Sequence, residues 1–66
     1  MSLSSEDGKQ VASDWFAMVD HTDRVIVMIR AFLYGPRHAV LVKAIHDELR
    51  IAHEHCEKAK KILSEK

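Results

Sequence analysis

Residues 25–45 read VIVMIRAFLYGPRHAVLVKAI, two apolar segments parted by Gly35 and Pro36. Glycine can adopt the left-handed conformation that ends a helix, and proline has the fixed dihedral and missing donor suited to the first position of the next one. The pair therefore predicts a tight reversal at 35–36 between two helices. Upstream, Ala12, Trp15, Val19, Thr22, Ile26, Ile29 and Leu33 recur in steps of three and four, one face of a helix. Downstream, Val42, Ile45, Leu49, Ala52, Cys56, Ala59 and Leu63 repeat the rhythm.

The sequence thus predicts an all-α chain: an antiparallel two-helix hairpin over 9–66, with helix 1 at about 9–34, the turn at 35–36 and helix 2 at about 36–64. Residues 1–8 are expected to fray, because Gly8 interrupts the cap that Ser4 and Asp7 suggest and Ser13 competes with it. A reversal at 35–36 places opposite one another residues whose numbers add to about 71, so Trp15 is expected to face Cys56 and Val19 to face Ala52. Charge supports the fold-back. Residues 1–23 carry five acids and one lysine, whereas residues 24–66 carry nine basic residues and five acids.

With 66 residues and one cysteine, the chain has room for one small domain and no internal disulfide. A domain this short buries only about 60% of the surface its unfolded form exposes, so oligomerisation, metal or very good packing is usually recruited. Beyond the two expected inner stripes, Val11, Met18, Val25, Met28, Phe32, Leu41 and Ile62 form a second apolar stripe, and these seven are the expected oligomer interface. The expected assembly is a homodimer that makes a four-helix bundle, or a tetramer of two such dimers.

The chemistry-bearing residues point to a non-enzymatic interaction or regulatory module. No serine triad, phosphate-cradling glycine loop or pocket-framed carboxylate pair is present, and no catalytic residue is expected. Neutral net charge argues against a broad nucleic-acid footprint. Between Asp23 and Asp47, however, Arg24, Arg30, Arg37 and Lys43 stand without an acid, so anion or nucleic-acid binding at the turn end is the alternative reading.

A metal or haem site in the bundle is the second alternative. His53, Cys56 and Glu57 share one helical face, but His46 lies about 10 Å further along the axis. No metal ligand set and no cofactor is therefore expected. An Asp23–His46 ion pair is expected across the hairpin. The lone thiol and the lack of a long apolar run or a leader-like start suggest a cytoplasmic protein with no membrane partner.

Overall fold

The computed structural model describes residues 3–65. Two helices, α1 (Ser5–Tyr34) and α2 (Ala39–Ser64), pack against each other, and no strand occurs among the described residues. The hairpin is a rod of 50 × 14 × 13 Å, whose length matches the rise of thirty helical residues.

α1 begins earlier than expected. Ser4 is the N-cap, its hydroxyl accepting a hydrogen bond from the Asp7 amide at 3.1 Å, and the Ser4 carbonyl accepts from Gly8 at 2.9 Å. Glu6 and Asp7 place negative charge at the positive end of the helix. Residues 5–8 are therefore helical rather than frayed, and the remainder of that expectation, on Met1 and Ser2, lies outside the described residues, as does Lys66.

The turn also differs from its expected form. Gly35 is extended, with φ −129° and ψ −167°, and no glycine has a positive φ among the described residues. Proline disfavours the helical region in the residue before it, so Pro36 stops α1 at Tyr34 by acting on Gly35. The glycine is needed for space. Its amide donates to the Ala31 carbonyl at 2.9 Å, and a Cβ on Gly35 would stand only 2.9 Å from the same oxygen.

Pro36 does not open the second helix. Four residues, 35–38, connect the two, and His38 is the N-cap of α2, its carbonyl accepting from Leu41 at 3.1 Å and Val42 at 3.4 Å.

The larger correction concerns which stripe lies inside. Val11 and Val25 are buried, 2% and 5% exposed, and Met18, Met28, Phe32, Leu41 and Ile62 are half-buried. These seven, expected at a contact between copies, instead line the seam between α1 and α2 in one hairpin. Trp15, Val19, Ile26, Ile29 and Leu33, expected inside, are 43–54% exposed. Ala52 and Ala59, buried on α2, let the two backbones approach.

Candidate functional site

The seam contains a polar layer. Asp14 and His21 occupy the slots between Val11, Met18 and Val25, so the inner stripe of α1 runs 11, 14, 18, 21, 25, 28, 32, an unbroken alternation of three and four. On α2 the matching slots hold Glu48 and His55. Each helix thus carries an acid followed seven residues later by a histidine. When two such segments run antiparallel, each acid meets the other helix's histidine; running parallel they would set acid against acid.

The structure shows both pairings. His55 Nδ1 lies 3.0 Å from Asp14 Oδ1, and His21 Nδ1 meets Glu48 Oε2. Both pairs have residue numbers that add to 69, which fixes a register displaced from the expected 71. The two imidazole rings stack between the pairs, with centroids 6.0 Å apart and planes 12° from parallel.

Asp14 is 4% exposed, the most buried charged side chain described, and Gln10 Nε2 donates to its second oxygen at 3.3 Å. An ionised carboxylate only accepts, so the Asp14 pairing places a proton on His55 Nδ1. That hydrogen bond from His55 holds the Asp14 carboxyl below the ordinary aspartate value of 3.8, outweighing burial, which acts upward. Arg24 reaches Glu48 at 3.9 Å from the solvent side. No buried side-chain nitrogen or oxygen among the described residues lacks a hydrogen-bond partner.

The outward face follows from the inner one by a single residue step. Trp15, Val19, Thr22, Ile26, Ile29 and Leu33 each follow an inward residue of α1, and Val42, Leu49, Cys56 and Leu63 each follow an inward residue of α2. One residue turns a helix by about 100°. Because the helices run in opposite directions, the same step turns them in opposite senses when seen from one end. Both outer stripes therefore arrive on the same side of the hairpin, as one face whose α1 half is the more apolar. Thr22 sits in the middle of the α1 stripe with its hydroxyl bonded to the Met18 carbonyl at 2.8 Å, whereas on α2 the same step also brings out His46, His53 and Lys60, so polar residues alternate with apolar ones there.

The expected turn-end cations are not gathered into a site. Lys43 pairs with Asp47 at 3.0 Å, Arg24 is drawn toward Glu48, Arg37 lies over the Phe32 ring at 5.8 Å, and Arg30 is exposed. His38 caps α2 through its backbone alone.

On the histidine-rich part of α2, His53 lies 3.8 Å from Glu57, while Cys56 is half-buried. No three His, Cys, Asp or Glu side chains converge as a metal site among the described residues. Asp23 and His46 make no ion pair with each other; the cross-helix histidine pairs are those of His21 and His55. No helix among the described residues is long and apolar enough to cross a membrane.

In comparisons with family models, curated proteins and solved structures, nothing matches this chain significantly.

Proposed function

We propose that the protein is a non-enzymatic helical interaction module that works as a homodimer, two hairpins joined face to face in a four-helix bundle. One observation carries this reading: α1 folds its polar-interrupted stripe inward and leaves its more apolar stripe facing water. A solitary hairpin gains register from that choice but no apolar burial, since turning α1 over would bury Trp15, Val19, Ile26, Ile29 and Leu33 in place of a stripe interrupted by Asp14 and His21.

The face is large enough for the role. Trp15, Val19, Ile26, Ile29, Leu33, Val42, Leu49 and Leu63 are each 40–54% exposed. Together they offer on the order of 700 Å² per hairpin, close to the roughly 800 Å² per partner of a stable interface. A twofold partner presents the same patch in return and closes the assembly.

Mass action tests the proposal. Unfolding of a homodimer shifts to higher temperature as protein concentration rises. A melting temperature that climbs across a hundredfold range of concentration supports the proposal, and one that stays constant overturns it.

A further inference from the structure

Resting on that homodimer reading, we propose that the second copy docks antiparallel, with its turn beside the open end of the first hairpin. An apolar face alone does not choose a direction, but the charges around this one do. Residues 24–46, the turn end, hold Arg24, Arg30, Arg37 and Lys43 and no acid. Arg24 and Lys43 have carboxylate neighbours just beyond that segment, whereas Arg30 and Arg37 have none among the described residues. The open end is the opposite. Residues 3–14 and 54–66 carry six acids against five lysines, a net of minus one facing the turn end's plus four.

If the two turns met at one end of the bundle, Arg30 and Arg37 of both copies, four cations without a carboxylate neighbour among the described residues, would crowd together there, and two net-negative open ends would crowd at the other. Reversing one hairpin sets each positive end beside a negative one. The apolar contact tolerates the reversal because the outer stripe of α1, from Ala12 to Leu33, runs most of the length of the helix. Like-charge juxtaposition of this kind selects between arrangements of similar apolar burial.

The experiment is a distance measurement between copies. A spin label is attached to His38→Cys at the turn or, in a separate sample, to Glu6→Cys at the open end. Both are made in a Cys56→Ala background that keeps the face apolar. Both positions are exposed, and His38 caps α2 without its side chain. The antiparallel dimer gives, for each label, a separation approaching the 50 Å length of the hairpin. Short separations of about 10–15 Å for both labels, the spacing of packed helices, overturn the orientation while leaving the dimer standing. A sample that sediments as a single 7.6 kDa chain overturns the dimer itself, and the orientation with it.

Discussion

Asp14 and His55, forty-one residues apart in the chain, meet at 3.0 Å across the seam between the two helices. With His21 and Glu48 they make the seam specific instead of merely apolar. Buried polar pairs add little to stability over a well-packed apolar seam, but they discriminate strongly, because any slip strands a charge or a donor without its partner. In this hairpin they decide which stripe of α1 faces α2 and in which register.

Removing one member of the pair therefore costs more than the pair itself contributes. Asp14→Ala leaves the His55 ring without its acceptor at a half-buried position, and a loss of about 1–3 kcal/mol is expected. Exchanging the two residues, Asp14→His with His55→Asp, restores the complementary pairing and should recover most of that loss. Urea denaturation of the three proteins at one fixed concentration measures it. A double exchange no more stable than the single variant would show that the pairing is not what stabilises the seam.

The acid limb of stability should carry the signature of Asp14. Its folded carboxyl titrates below the ordinary 3.8, so the stability it contributes is fully present above that value and is lost as pH falls through the lower folded one. Asp47 is shifted the same way by Lys43, but on an open surface where such pairs contribute little. Asp14→Asn should flatten the decline of melting temperature below about pH 4, whereas Asp47→Asn should leave it nearly unchanged. An unaltered acid limb in Asp14→Asn would assign acid unfolding to other carboxylates.

The two glycines should answer alanine with opposite signs. Gly8 lies inside α1 with nothing within 4 Å of where a Cβ would stand, so Gly8→Ala should stabilise by about 0.5–1 kcal/mol. At Gly35 the same methyl would press on the Ala31 carbonyl oxygen at 2.9 Å and force the turn to shift, so Gly35→Ala should destabilise. Thermal melts followed by circular dichroism compare them directly, and a stabilised Gly35→Ala would show that the turn has more room than its geometry indicates.

Two adjacent residues separate folding from assembly. Val25 is 5% exposed in the seam, while Ile26 is 44% exposed on the outer face. Val25→Asp should abolish the helical signal, because the charge is trapped between α1 and α2. Ile26→Asp should leave helices that form at high concentration or in a stabilising osmolyte, yet abolish association. Equal behaviour of the two would mean that the inner and outer stripes are not distinct.

The hairpin itself was legible in the chain: Gly35 and Pro36 mark the break, and the apolar steps of three and four on either side allow only helices. The choice between stripes was not legible from apolar content, which favours Trp15, Val19 and Ile26 as the interior. That count treats Asp14, His21, Glu48 and His55 as gaps in a stripe, whereas paired across two antiparallel helices they complete it. The readable signal was the repeated spacing of an acid and a histidine seven residues apart on each helix. The form of the turn was hidden for a related reason: Pro36 acts backwards on Gly35, ending α1, and the start of α2 waits for His38.

The mass of the protein in solution bears on all of this at once. Sedimentation equilibrium at neutral pH should report twice 7.6 kDa at micromolar and higher concentrations, falling toward one chain in Ile26→Asp. A single chain of 7.6 kDa that persists to millimolar concentration would contradict the account, because the outer apolar face would then remain open to water.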